Sequence, residues 1–146
     1  MKLAWLLWLS SMLPQPQADQ VCLATTVYLE ARDQPALGQR AVAEVALRRL
    51  DSGRHGESLC EVVREPGQFA LSMMPGSYRL DDASAYASAS TLAESALRDW
   101  SQPPQRRHQV VPGAQYFIAF ANTSPSWLRG DPVATIGAHA FYRDAF

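Results

Sequence analysis

Hydrophobic positions divide this chain into a short unbroken apolar run, a longer region of helical spacing and a final region rich in β-formers. The run is Leu3, Ala4, Trp5, Leu6, Leu7, Trp8 and Leu9, preceded by Lys2 and closed by Met12, Leu13 and Pro14. It is shorter than the roughly 20 residues that a membrane-spanning helix needs and has the length of a signal-peptide core. Residues 1–18 are therefore read as a signal peptide or short membrane-targeting segment, with transient membrane contact. Ala18 is the small residue before a cut, while Pro16 matches the usual cleavage pattern poorly. A buried N-terminal helix and an uncleaved, weakly held anchor are the alternatives. Residues 19–146 contain no repeat and no linker and are read as one domain.

Beyond residue 18 the spacing becomes helical. Asp19 can cap a helix over about 20–32, with Leu23, Val27 and Ala31 on one stripe. Pro35 permits a new start, and Leu37, Ala41, Val42, Val45, Ala46 and Leu50 give a second stripe that stops at Ser52-Gly53. Arg40, Arg48 and Arg49 fall largely off that stripe. Ser58 and Glu61 have the spacing of a capping box in front of Val62 and Val63, which predicts a short third helix before Pro66. An alanine-rich fourth helix over about 83–100 takes Asp81 or Asp82 as cap and turns Leu92, Ala96 and Trp100 inward. After residue 110 the pattern shifts to Tyr116-Phe117-Ile118-Ala119-Phe120 and Val133-Ala134-Thr135-Ile136, followed by Gly137 to Tyr142. Two or three short antiparallel strands are expected. Helices first and a small sheet last make an α+β fold, with a cleft between the two parts as the place for a site.

Composition narrows the function classes. With 47% hydrophobic and 18% charged residues in 146, the chain has the makeup of one ordinary globular domain. Its formal charge of −1 disfavours nucleic acid as a partner, because phosphate binding needs a clustered basic surface. The one basic clump, Arg106, Arg107 and His108, follows Pro103-Pro104 and reads as a solvated loop. Cys22 and Cys60 have no second Cys or His at a ligand spacing, so no metal and no cofactor are expected. In an oxidising compartment the two can pair; two unrelated buried thiols are the alternative at this point.

One carboxylate stands on an apolar stripe. Glu30 is seven residues after Leu23 and three after Val27, so on a helix it faces the core. Burial penalises the ionised form and raises a carboxyl pKa, which is how a glutamic acid keeps a proton near neutral pH for delivery to a leaving oxygen. The competing reading ends the helix near here and pairs Glu30 with Arg32 or solvent.

The stretch Tyr28-Leu29-Glu30-Ala31-Arg32-Asp33-Gln34-Pro35, with Gly38-Gln39 and Ala41-Val42-Ala43, resembles the SleB/CwlJ cell-wall hydrolase family of spore cortex-lytic type. Cys60-Glu61-Val62-Val63, Gln68-Phe69, Gly113-Ala114-Gln115-Tyr116-Phe117, Trp127 and Ile136-Gly137-Ala138-His139-Ala140-Phe141-Tyr142 continue the match in the family's order. The resemblance implies a lysozyme-like fold, peptidoglycan as substrate and Glu30 as the catalytic acid. Relatives from Gram-negative bacteria and phages often carry cysteines at the places of Cys22 and Cys60, which implies a disulfide between them. Two departures stand out: Asp33-Gln34 replaces the family's usual Gly-Glu, and Arg48 replaces its usual Asn. Asp33 lies one residue out of register, about 100 degrees away on a helix, and is not counted as a catalytic group.

Two-carboxylate glycosidases hold their acids about 5 Å apart for retention or about 6.5 to 9.5 Å for inversion, and no second acid is an obvious partner for Glu30. Asp81, Asp82 and Asp131 read as caps or turn residues. The resemblance points to a lytic transglycosylase, in which one Glu suffices. Tyr28, Gln68, Tyr116, Trp127 and His139 are candidates for binding the sugar, since they supply flat faces and edge hydrogen bonds. A hydrolytic muramidase and a degenerate, non-catalytic peptidoglycan-binding domain are the rival functions. The expected setting is outside the cytoplasm, periplasmic or extracellular, as a monomeric phage endolysin or bacterial wall hydrolase.

Overall fold

The computed structural model describes residues 1–119 and 130–143. Six α-helices come first: α1 (Leu3–Met12), α2 (Gln15–Ala31), α3 (Ala36–Ser52), α4 (Leu59–Arg64), α5 (Ala70–Met73) and α6 (Ala83–Trp100). A 3-10 turn at Pro104–Arg106 leads to the strands β1 (Tyr116–Ala119), β2 (Ala134–Ile136) and β3 (His139–Tyr142). The sheet is antiparallel with order β1-β3-β2, Phe117 opposite Phe141 and Ala134 opposite Phe141. The α+β expectation, with a mostly helical N-terminal part and a small sheet after it, is what the structure contains.

α2 is the axis of the helical part, packed by α1, α3, α4, α5 and α6. Every residue from Cys22 to Tyr28 is buried, so the single stripe expected from spacing is replaced by a helix covered on all sides. Two threonines in that run would be expensive to bury unpaired. Their hydroxyls return to the carbonyls one turn back, Thr25 to Val21 at 2.7 Å and Thr26 to Cys22 at 2.8 Å, so the helix carries its own polar satisfaction.

α2 also starts earlier than expected. Pro14 stands at its N-cap and Pro16 in its first turn, where a fixed φ is already helical and the missing N–H would have no intrahelical partner. The two prolines therefore open the helix. Asp19 lies inside it and accepts from Gln15 Nε2 at 2.6 Å and from the Leu59 amide at 3.2 Å. Ahead of Pro14, α1 lies against α2 with Leu3 and Leu6 buried. Its start is tied by the Leu3 amide to Tyr78 O and the Ala4 amide to Gly76 O. Trp5, Trp8 and Met12 stay exposed, and no helix among the described residues is long and apolar enough to cross a membrane.

Other local signals resolve as read. Pro35 precedes α3, and Gly53 ends it at φ 71, a left-handed conformation that glycine adopts without a Cβ penalty. Ser58 caps α4 by accepting from the Glu61 amide, while the Glu61 carboxylate reaches the Glu57 amide instead of completing the box. Asp82 caps α6 through the Ala85 amide at 2.9 Å. Cys22 of α2 and Cys60 of α4 form a disulfide with Cα atoms 5.3 Å apart.

The α3 stripe differs from the one expected. Leu37 is 61% exposed, whereas Glu44 is fully buried and Arg49 is 3% exposed. Glu44 accepts from the amides of Val110 (2.7 Å) and Val111 (3.0 Å), with Arg40 and Arg48 one turn to either side. It thereby fastens the segment entering the sheet to α3. Arg48 donates to Ala114 O and Gln109 Oε1 and lies over the Trp100 ring. In the basic clump, Arg107 is bound to Asp51 at 2.7 Å with its guanidinium 4.5 Å from Trp100, while Arg106 and His108 are exposed as a solvated loop requires.

Candidate active site

The end of α2 brings Glu30 to the edge of the core. Burial is continuous up to Tyr28 and relaxes at Leu29 and Glu30, which are half-buried. The carboxylate accepts from the Ala70 amide, at the first residue of α5, at 2.5 Å. Burial raises the Glu30 pKa above 4.5, and the Ala70 N–H and the positive charge of Arg49 pull it back down. Pairing with Arg32, the alternative in the sequence, does not occur. Arg32 donates to the Tyr78 hydroxyl at 3.3 Å and lies over the Tyr28 ring.

Arg49 was not legible as a site residue. It reaches inward from α3 and donates from Nε to Gln115 O at 2.7 Å and from Nη1 to Gln68 Oε1 at 3.2 Å. Its guanidinium stands 5.0 Å from the Phe69 ring centre and 4.8 Å from that of Tyr116. One side chain thus joins the segment before α5 to the start of β1. The only hint in the sequence was a pair of adjacent arginines on one helix, and helical spacing pointed both away from the core.

The other expected residues take different positions. Gln68 is exposed beside Arg49 and precedes Phe69, which is fully buried. Tyr116 is half-buried at the start of β1. Tyr28 is 2% exposed, its hydroxyl accepts from the Asp82 amide at 3.2 Å, and its ring packs on Tyr86. It fixes the start of α6 against α2 and offers almost no surface to a sugar. His139 is 5% exposed, and its Nδ1 has no hydrogen-bond partner among the described residues. Burial lowers its pKa while Asp33 opposes the shift, and the ring meets Phe117 edge-on at 5.3 Å. Trp127 lies outside the described residues.

Gln34 explains one departure from the family pattern. Its Oε1 accepts from the Ala138 amide at 2.8 Å, joining the α2–α3 loop to the turn between β2 and β3. That turn needs Gly137, which sits at φ 57 and would drive a Cβ into the Gln34 Oε1. A glutamine supplies the acceptor oxygen without a charge, so the tie between loop and sheet does not require a carboxylate here.

No second acid acts on Glu30 among the described residues. Asp33 Oδ1 accepts from Gln34, Asp81 pairs with Arg79, and Asp82 caps α6. Nor is there a cluster of three or more metal-ligating side chains among them. A groove of ≈ 620 Å³ between α3 and α6, lined by Leu37, Arg40, Ser88 and Thr91 among others, contains none of the residues around Glu30. Its one cation is already held by Asp99 at 2.7 Å.

Comparison with known proteins bears on this geometry. The model of a cell wall hydrolase family matches residues 33–142, a span that begins just after Glu30. The spore cortex-lytic enzyme of Bacillus subtilis (strain 168) is 32% identical over 124 residues, covering 82% of this chain and 35% of that protein. The spore cortex-lytic enzyme of Halalkalibacterium halodurans is 30% identical over 126 residues, 84% of this chain and 34% of that one. The chain therefore spans about a third of the length of these curated relatives. Among solved structures, the catalytic domain of the germination-specific lytic transglycosylase SleB from Bacillus anthracis superposes with a TM-score of 0.65 at 26% identity. That match covers 85% of this chain and 93% of the other. The catalytic domain of the Bacillus cereus SleB protein gives 0.67 at 26% identity, covering 86% and 90%.

Proposed function

The chain belongs to the cell wall hydrolase family, and from that premise we propose that it cleaves peptidoglycan glycan strands as a lytic transglycosylase, with Glu30 as its only acid and base. The observation that carries this reading is a single half-buried carboxyl, raised in pKa by burial and held by the Ala70 amide, with no second carboxylate acting on it among the described residues. The naming of the similar Bacillus anthracis domain as a lytic transglycosylase supports it.

Protonated Glu30 gives its proton to the oxygen bridging muramic acid to the next glucosamine, and the bond from that oxygen to the muramic C1 breaks. The resulting carboxylate takes the proton of the C6 hydroxyl on the same muramic sugar, whose oxygen closes on C1. Glu30 ends protonated again and no water is consumed. Recruiting the substrate's own hydroxyl replaces a bimolecular attack by an intramolecular one, which is why a second acid is dispensable.

Gln68, Tyr116, Trp127 and His139 are the proposed sugar-binding residues, and Tyr28 supports the site from beneath by fixing α6. Burial favours the neutral form of His139, whose covered Nδ1 can accept or donate according to tautomer once a sugar displaces what covers it. Action on the wall requires export to the periplasm or beyond. Residues 1–18 are proposed as the targeting segment, and the exposed Trp5 and Trp8 of α1 suit passing contact with a bilayer surface. A monomer acting as an endolysin or wall hydrolase completes the reading.

Digestion of purified peptidoglycan tests it. Wild-type protein should release muropeptides ending in 1,6-anhydromuramic acid, lighter by one water than reducing ends, and Glu30→Gln should release none. Reducing ends throughout would establish a muramidase instead. No release by the folded wild-type protein, with wall binding intact, would establish the non-catalytic alternative.

A further inference from the structure

A lone carboxylate that works first as acid and then as base has a requirement that burial alone does not meet. Burial favours the protonated form needed to start the reaction and opposes the carboxylate needed to finish it. Something beside Glu30 must make the charged form accessible without exposing it to water.

Arg49 has the placement for that task. A guanidinium with 3% exposure is costly to bury, and such groups normally sit against a carboxylate. Among the described residues Arg49 has no carboxylate within ion-pair distance: Glu44 is shared by Arg40 and Arg48, and Glu65 is taken by His55 at 2.7 Å. Its hydrogen bonds go to neutral oxygens, Gln115 O and Gln68 Oε1, and its faces are covered by Phe69 and Tyr116. The charge is therefore not neutralised in a close pair and remains directed at its surroundings.

We propose that Arg49 is a positioning residue for Glu30: it holds Gln68 and the Phe69-Ala70 segment that grips the Glu30 carboxylate, and its positive charge stabilises that carboxylate in the second half of the reaction. This rests on the single-carboxylate reading above. The groups bearing on Arg49 are Glu30 from α2, Glu65 with His55 behind it from the far end of α4, and Tyr116 from β1. Glu65 is paired with His55, while on Glu30 the charge of Arg49 opposes the effect of burial. The neighbouring Arg48 is committed to Ala114 O and Gln109 Oε1.

The test uses the full chain as wild type, Arg49→Met and Arg49→Lys, with two readouts. The first is the titration of the Glu30 side-chain carboxyl, followed by NMR in glutamate-labelled protein, with Glu30→Gln identifying the signal. In Arg49→Met the midpoint should move to higher pH, and in Arg49→Lys, which keeps the charge, it should stay close to wild type. The second is the rate of peptidoglycan digestion across pH. Arg49→Met should lose roughly a hundredfold in kcat, the low end of the range of acid–base contributions, and its alkaline limb should shift upward. Arg49→Lys should keep the wild-type limb and show a smaller loss, through weaker hold on Gln68.

A uniform loss at every pH with an unmoved Glu30 titration would overturn the proposal and leave Arg49 a packing residue. If Arg49→Met does not fold, Arg49→Lys and Arg49→Gln decide the matter, the proposal falling if both titrate like wild type. The titration needs no turnover, so it can fail while anhydro products are still formed. It can equally succeed in a protein whose products refute the transglycosylase reading.

Discussion

Replacing Glu44 measures how firmly the sheet is fastened to the helices. In the native chain this fully buried carboxylate accepts two backbone amides, Val110 at 2.7 Å and Val111 at 3.0 Å, the second of them buried. Glu44→Ala leaves both donors without an acceptor, and each such loss costs about 1 to 3 kcal/mol. The ion pairs add little. They are long, at 3.6 Å to Arg40 and 3.5 Å to Arg48, and each arginine keeps another partner, Asp99 for one and Ala114 O with Gln109 for the other. The expected loss is about 3 to 5 kcal/mol, a large share of the ~5 to 15 kcal/mol that holds a domain together. Glu44→Gln keeps one acceptor oxygen but turns an amide N–H toward the second donor, so it should lose about half as much. Urea unfolding gives both values, with an unchanged slope showing that the unfolded state is the same. A loss under about 1 kcal/mol for Glu44→Ala would refute the reasoning, since it would mean that water replaces the carboxylate at both amides.

Two further outcomes follow from the geometry. Because the folded pKa of Glu30 lies above its unfolded value of 4.5, the native state holds the proton more tightly, and stability falls as pH rises from the unfolded pKa through the folded one. Glu30→Gln should remove that decline and melt above wild type at neutral pH, with the difference vanishing below the unfolded pKa; an offset independent of pH would show that burial is not the cause. Cys22 and Cys60 close a loop with a sequence separation of 38, for which chain entropy gives about 4 kcal/mol. The Cys22→Ala, Cys60→Ala double variant should unfold at lower urea by that order, and a loss under ~1 kcal/mol would mean that the reduced chain is already restrained.

The sequence by itself determined much of this protein. Pro35, Gly53, Ser58 and Asp82 fixed where α3, α4 and α6 begin or end, because caps and breakers act through bonds to residues three or four positions away. The β-formers after residue 110 marked the strands on the same local grounds. Glu30 stood out as a carboxylate on an apolar stripe, but a helix ending near it left solvent or Arg32 as partners, and the family resemblance decided between the two readings. What lay out of reach depended on partners distant in the chain. Spacing put Leu37 inward and Arg49 outward, but packing reversed both: Gln68, Gln115 and two aromatic rings give a guanidinium at that position more than water does. Glu44 gave no signal in the sequence, because the two amides it binds lie sixty-six and sixty-seven residues away. Gln34 looked like a lost carboxylate until Ala138 supplied a donor that needs only an oxygen. Tyr28 offered a flat aromatic face in the sequence, and the arrival of α6 covered it. Local chemistry set the elements and made Glu30 a candidate, while the residues around it were chosen by which segments the tertiary structure placed beside them.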